Sequence, residues 1–315
     1  MPDGRSRRST LLCEVAMPGL AIRHLTRYRY RRPVAFGEHR LMLRPLEAHD
    51  QTVVSFDLDI DPAPARLKTI HDVFGASVTL ARFERRASSL LVESRVVVDQ
   101  TPDEVACDAD DEFPPPGAPF GYDAHDFADL IGATGAAAPE VEAWARRFAP
   151  ANGRGRVLEA LVAMTHAIGE AMTYEQRLFD PPRPAGETLA RRAGSCRDFA
   201  VLLVDAARAL GLGARFVSGY LCDAVGAVGA GHTHAWAQVF LPSCGWVDLD
   251  PTNGLIGSRG LVRVAVSPHP RRASPLCGSW FGDPADYLGM DVEVEVTELP
   301  SGRRVDIAQG LAAAH

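Results

Sequence analysis

Gly194-Ser195-Cys196-Arg197-Asp198-Phe199-Ala200-Val201-Leu202-Leu203-Val204 is the stretch on which the fold turns. Its apolar residues recur at helical spacing as far as Leu210, and Gly211 and Gly213 stop the run. Cys196 therefore opens a helix. The free amides and macrodipole of a helix start favour negative charge, so a thiolate is at home there, and the same amides can hold an oxyanion. Downstream the period changes from helical to two. Ala214–Leu221, Thr233–Leu241 and Trp246–Asp250 read as strands, with Leu261–Val266 and Val292–Leu299 completing the strand-like material. Upstream, Pro139–Phe148 and Val157–Met172 read as helices, Pro139 being suited to a first turn. Helices followed by antiparallel strands make an α+β pattern.

A cysteine nucleophile needs a base, and the base needs an orienting partner. His234 opens the strand Thr233–Leu241, and alternation puts His234, Trp236, Gln238 and Phe240 on one face. Asp250 ends the following strand. If the connecting loop is Pro242–Cys244, Asp250 falls opposite Trp236 on that same face, one diagonal step from His234. A two-residue loop would flip the face. His232 shares the parity of His234, and Asp248 that of Asp250, so each is an alternative for its role. Asp198 falls in the first helical turn, where an acid complements the dipole, and reads as a structural ion pair. Cys222 follows a strand and Cys244 sits in a turn; neither has a helix start. A metal site from Cys196, Cys222, His232 and His234 lacks a CxxC pair or a carboxylate cluster to support it, so no metal and no cofactor is expected.

The rest of the chain divides around this core. From Leu20 to about Asp99 short strand-like runs follow one another without a helical period: His39–Leu46, Thr52–Ile60, Ser77–Arg82 and Leu90–Val98. In Arg27-Tyr28-Arg29-Tyr30-Arg31 aromatic residues alternate with arginines, whose face reads as solvated. This predicts an N-terminal antiparallel β sandwich or barrel over 18–100. Residues 101–125 read as a linker, with six acids between Asp103 and Glu112 and then Pro114-Pro115-Pro116-Gly117. The catalytic domain is expected over 126–300 and a tail over 301–315. Residues 1–17 read as a disordered leader: Glu14 interrupts the short apolar run Leu11-Leu12-Cys13 before a signal-peptide core forms, and Met17 stands as an alternative start.

Composition bounds the partners. The chain has 315 residues, a net charge of −7, 46% hydrophobic and 23% charged residues. That is an ordinary globular composition, and the charge argues against nucleic acid. No apolar run approaches the ~18 residues of a membrane span. Six cysteines without a regular spacing read as reduced thiols, which places the protein in the cytoplasm.

The string GSCRDFAVLLVDAARALGLGARFVSGYL, followed by THAWAQVFLPSCGWVDLDPTNG, resembles the core of the bacterial transglutaminase-like family. His24-Leu25-Thr26-Arg27-Tyr28-Arg29-Tyr30, Pro33-Val34, Leu43-Arg44-Pro45 and Asp72-Val73-Phe74-Gly75 resemble that family's N-terminal region in the same order. The resemblance spans about residues 18–300. It implies a papain-like fold, with helices packed on an antiparallel sheet, and a Cys196–His234–Asp250 triad. A thioester acyl-enzyme would then form on amide bonds of a peptide or protein. Hydrolysis (protease or amidase) is expected over cross-linking. The alternatives are a protein-glutamine acyltransferase and a non-enzymatic protein-binding module on the same scaffold. The oxyanion hole would combine the Cys196 amide with Tyr174 or Gln176, and Trp236 would pack beside His234. Gln238 departs from the family's usual acid, and Ser267–Arg272 departs from its usual turn. The glycine-rich loop Gly226–Gly231 is a candidate gate over the site.

Overall fold

The computed structural model describes residues 19–101, 111–114, 120–123, 130, 137–150, 155–177, 180–222, 228 and 231–299. The leader, most of the acidic linker, most of the glycine-rich loop before His232 and the C-terminal tail lie outside them, as do Cys13 and Cys107.

The N-terminal part is a sandwich of two antiparallel sheets. Strands β1 (Leu20–Phe36), β3 (Gln51–Asp61) and β6 (Ala87–Gln100) form one sheet, in the order β1-β6-β3. Strands β2 (His39–Leu41), β4 (Arg66–His71) and β5 (Ser77–Arg82) form the other, in the order β2-β5-β4. Alternation does the sorting. Tyr30, Val34 and Phe36 of β1 pack with Leu41, Ile60, Ala81, Leu90 and Val92 between the sheets, while Arg27, Arg29 and Arg31 stay exposed.

The second part places helices on a sheet. Helices α1 (Pro139–Ala145), α2 (Val157–Ala171), α3 (Ala185–Arg191) and α4 (Cys196–Ala209) follow one another; α1, α2 and α4 are those that periodicity predicts, and α3 is an addition to them. A two-residue parallel pair, β7 (Thr173–Tyr174) with β8 (Ala193–Gly194), leads into α4. Five antiparallel strands follow: β9 (Ala214–Leu221), β10 (His234–Leu241), β11 (Gly245–Asp250), β12 (Leu255–Ile256) and β13 (Leu261–Ser267), in the order β12-β11-β10-β9-β13. Phe199, Leu202, Leu203 and Ala206 of α4 bury against Ala237, Val239 and Leu241 of β10 and Leu249 of β11. The α+β expectation, a β sandwich followed by helices on an antiparallel sheet, is met.

The chain then returns to where it began. Strands β14 (Leu276–Cys277), β15 (Trp280–Phe281) and β16 (Tyr287–Glu298) pair with β2 and β1 of the sandwich. The stretch Val292–Leu299, which sequence reading grouped with the catalytic domain at 126–300, runs antiparallel to β1 from Leu20↔Glu298 onward. Its alternating valines bury against a sheet, but nothing in the local pattern says which one.

One apolar cluster crosses the boundary between the parts. It joins Leu20, Ile22, Val96 and Val98 of the sandwich to Cys196, Ala200, Phe216, Tyr220 and Val262 of the core. Polar groups seal the same seam. Arg263 Nη1 donates to Asp248 Oδ2 at 2.9 Å, and its Nη2 pairs with Asp50 of the sandwich. Gln51 Nε2 donates to the Arg263 carbonyl at 2.9 Å, and Gln100 Nε2 to the Leu261 carbonyl at 2.9 Å. All three ion-pair members are buried. Removing one partner of a buried ionic cluster costs about 3–5 kcal/mol. Arg263→Met leaves both Asp50 and Asp248 uncompensated, so urea denaturation should show a loss of that size, with circular dichroism confirming a folded start.

Candidate active site

Cys196 is the first residue of α4 and is 6% exposed. The geometry of the helix start is held by Asp198. Its Oδ2 accepts from the Ser195 N–H at 2.8 Å and the Ser195 Oγ–H at 3.0 Å, and its Oδ1 accepts from the Arg183 N–H at 2.7 Å. Arg177 Nη1 reaches both carboxylate oxygens, at 2.9 and 2.8 Å. Burial alone would raise the Asp198 carboxyl, and these donors hold it below its ordinary value instead. Asp198 is thus the structural ion pair expected of it. Gly194 is required by the same packing, since a Cβ there would stand 2.7 Å from the Asp198 Cβ.

The β10–β11 hairpin supplies the other partners. Leu241 pairs with Gly245, so the loop is Pro242–Cys244, and Gln238 lies opposite Asp248. Each aspartate then serves the residue one diagonal step away. His234 Nε2 and Asp250 Oδ2 are 2.8 Å apart. Trp236 Nε1 donates to Asp248 Oδ1 at 2.6 Å. The alternative orienter, Asp248, is therefore engaged by Trp236 and Arg263. The indole stacks beside the imidazole with centroids 6.0 Å apart and planes at 27°. The alternative base, His232, lines the same cleft but has its Nδ1 3.1 Å from the Val292 carbonyl oxygen.

Asp250 is held from two further directions, by the Thr252 N–H at 2.9 Å and by Asn253 Nδ2 at 2.9 Å. Asn253 escaped the sequence reading, although an Asp–Pro–Thr–Asn turn is the kind in which a carboxylate caps the amide two residues on. His234 and Asp250 are both buried, with relative exposures of 1% and 0%. Burial disfavours a charged imidazole. The charge and hydrogen bond of Asp250, reinforced by Cys196, outweigh it and raise His234 to about 10. The same pairing, with Asn253 and Thr252, holds Asp250 below its ordinary value against the opposing effect of burial. Because Nε2 is committed to Asp250, the buried Nδ1, which has no nitrogen or oxygen partner, is left for the Cys196 sulfur.

The two oxyanion candidates separate. Tyr174 is half-buried and its hydroxyl interacts with Cys196; burial and that thiol raise it, so it stays protonated. Gln176, expected as its alternative, is exposed and does not line the cleft, whereas the next residue, Arg177, does. The cleft itself has a volume of about 380 Å³. His24, Thr26 and Tyr28 of β1 form one wall, with Met290 and Val292 of β16 beside them. The sandwich thus borders the site. Cys277 also lines it, unremarked in the sequence. Cys222 is buried and Cys244 half-buried, both away from the cleft. Among the described residues no cluster of three or more His, Cys, Asp or Glu is placed to hold a metal, and no helix is long and apolar enough to cross a membrane.

Comparison with known proteins agrees with this architecture. Residues 20–99 match the bacterial transglutaminase-like N-terminal region, and residues 142–251 match the transglutaminase-like superfamily. The chain belongs to the transglutaminase-like superfamily, with the bacterial N-terminal region in front of the core. Uncharacterized proteins of Mycobacterium tuberculosis and Mycobacterium bovis are 29% identical over 300 residues, covering 87% of this chain and 91% of theirs. One from Mycobacterium leprae is 32% identical over 167 residues, covering 48% and 58%. A crystal structure of a candidate cysteine protease from Cytophaga hutchinsonii superposes with a TM-score of 0.70 at 20% identity, over 91% of this chain and 92% of that one. At that identity the likeness is one of fold.

The pair titrates in a defined window. His234 is raised from 6.5 to about 10, so its contribution to stability is complete below pH 6.5 and fades as pH rises through 10. Asp250 is lowered from 3.8, so its contribution is present above pH 3.8 and is lost on further acidification. The stability difference between wild type and Asp250→Asn, followed by urea denaturation across pH, should therefore plateau between 3.8 and 6.5 and shrink on both sides.

Proposed function

We propose that the protein is a thiol amidase or protease that cleaves amide bonds of a peptide or protein through a Cys196–His234–Asp250 triad. The observation that carries this reading is the buried His234–Asp250 pair at 2.8 Å, set beside a cysteine at a helix start inside a cleft. Membership of the transglutaminase-like superfamily supports it.

In this mechanism His234 Nδ1 carries the proton that the Cys196 thiol gives up. The sulfur attacks the amide carbonyl carbon. The oxyanion is held by the Cys196 backbone N–H and the Tyr174 hydroxyl, which remains a donor. His234 gives its Nδ1 proton to the departing amine, and Asp250 keeps the ring oriented through Nε2. The thioester is then released by water, activated by the now neutral His234. An amine acceptor at that step would give cross-linking. Trp236 orients and shields the ring rather than contacting substrate. A free thiol of this kind suits a reducing compartment, and we place the enzyme in the cytoplasm.

A screen on a glutamine-containing peptide library tests the assignment and separates the outcomes. Peptide cleavage or ammonia release, both hydrolytic, should fall to background in Cys196→Ala. Amine incorporation as the dominant product would replace hydrolase with acyltransferase. Product yields unmoved by the substitution would remove Cys196 as nucleophile. Tyr174→Phe should lower kcat by about a hundredfold with little change in KM, as loss of one oxyanion donor does.

A further inference from the structure

Strand β16 lies outermost in its sheet along most of its length. One edge pairs with β1, and no other strand among the described residues pairs with its second edge. Period-two geometry says which residues face outward. The Leu299 N–H donates to the Gly19 carbonyl at 2.7 Å, so odd-numbered residues of this segment bond towards β1. Even-numbered residues turn the other way. The Val294 N–H donates to the Gly231 carbonyl at 2.9 Å, and the Val292 carbonyl meets His232 Nδ1 at 3.1 Å. Gly231 and His232 lead directly into His234, so this edge looks towards the catalytic histidine.

Met290 is the next even residue. By the same alternation its N–H and C=O both point outward. Among the described residues no strand pairs with that edge, and Met290 lines the cleft that holds Cys196. Beyond it the ladder breaks. Gly289 has φ +135°, and the pairing shifts between Arg29↔Gly289 and Tyr30↔Tyr287. The open edge is therefore one residue pair long. Its neighbours suit an extended chain: Thr26 and Tyr28 of β1 pair with Val292 and Met290, and all four line the cleft.

We propose that Met290 presents a backbone docking edge to which an extended peptide segment of the substrate adds as a short strand, placing its amide bond at Cys196. This rests on the reading of Cys196 as the nucleophile and extends it to the substrate class: an unfolded or loop segment rather than a folded surface or an isolated side chain. Backbone pairing supplies affinity without sequence specificity, which falls to the side chains above Tyr28, Thr26 and Val292.

The test compares two electrophiles on Cys196, followed by mass spectrometry: a tetra-alanyl chloromethyl ketone, which carries a peptide backbone, and chloroacetamide, which does not. Wild type should react faster with the peptidyl reagent. Met290→Pro removes the outward N–H without touching the ladder to β1, and edge strands tolerate proline at such positions. It should lower the ratio of the two rates by up to about tenfold, the cost of one net hydrogen bond. A series of peptidyl reagents N-methylated at one amide each reads the same bonds on unaltered protein. Rates should drop at the amide nitrogen that faces Met290 and hold at its neighbours, which point away. Equal rates across the series overturn the docking edge, whether or not Met290→Pro folds. Failure of both reagents to label Cys196 overturns the nucleophile assignment itself, and the docking edge with it.

Discussion

The site depends on the register of one hairpin. A three-residue loop, Pro242–Cys244, sets Leu241 against Gly245, and every polar contact behind the cleft follows from that pairing. Asp250 meets His234, and Asp248 meets Trp236, each across one diagonal. A slip of one residue would turn both carboxylates to the opposite face, where Val247 and Leu249 now bury against helix α4 and its neighbours. Two ionisable groups would then enter an apolar layer unpaired, while the imidazole lost its partner. The helix-facing core and the polar face thus select the same register, and the meeting of His234 with Asp250 becomes a consequence of hydrophobic packing.

The two structural parts are not independent modules joined by a linker. The chain starts in the sandwich, builds the core, and returns to the sandwich through β14, β15 and β16. Its first and last described strands pair along their length. The cleft lies along this seam, so its walls come from both ends of the sequence while Cys196 and His234 come from the middle. His24 illustrates the coupling. It is buried, with Nδ1 3.1 Å from the Tyr220 hydroxyl of β9 and Nε2 3.0 Å from Thr26 Oγ1, and burial lowers it to about 4. A neutral histidine there fixes the sandwich wall against the core sheet and adds no cation to the cleft.

Local signals made much of this legible. The apolar helix after Cys196, the alternation around His234 and the placing of Asp250 needed only period and parity, and the loop length decided between two registers. What escaped was long-range. Val292–Val296 reads equally well as a strand of either sheet, because alternation reports a half-buried surface and not the partner beneath it. Gln176 stands two residues after Tyr174, yet Tyr174, paired with Gly194 in β7–β8, reaches the thiol while Gln176 is exposed. Cys277 carries no helix start, and only the return of the chain through β14 brings it to the cleft. Asn253 was visible as part of a turn, but its bond to Asp250 depends on how that turn closes.

Asp248 and Asp250 show how burial sorts identical residues into different roles. For both, removal from water is the largest influence and pushes the carboxyl up. Asp250 nevertheless ends below its ordinary value, because a charged imidazole, a side-chain amide and a backbone N–H converge on it. Asp248 ends above its ordinary value, although Arg263 and the Trp236 indole bond to it. Sharing a cation does not decide the outcome: Arg263 pairs with both Asp248 and Asp50, yet Asp50 is held below its ordinary value while burial leaves Asp248 above it. Asp250 pairs with His234, and Asp248 holds Trp236 and, through Arg263, the sandwich, one diagonal step away.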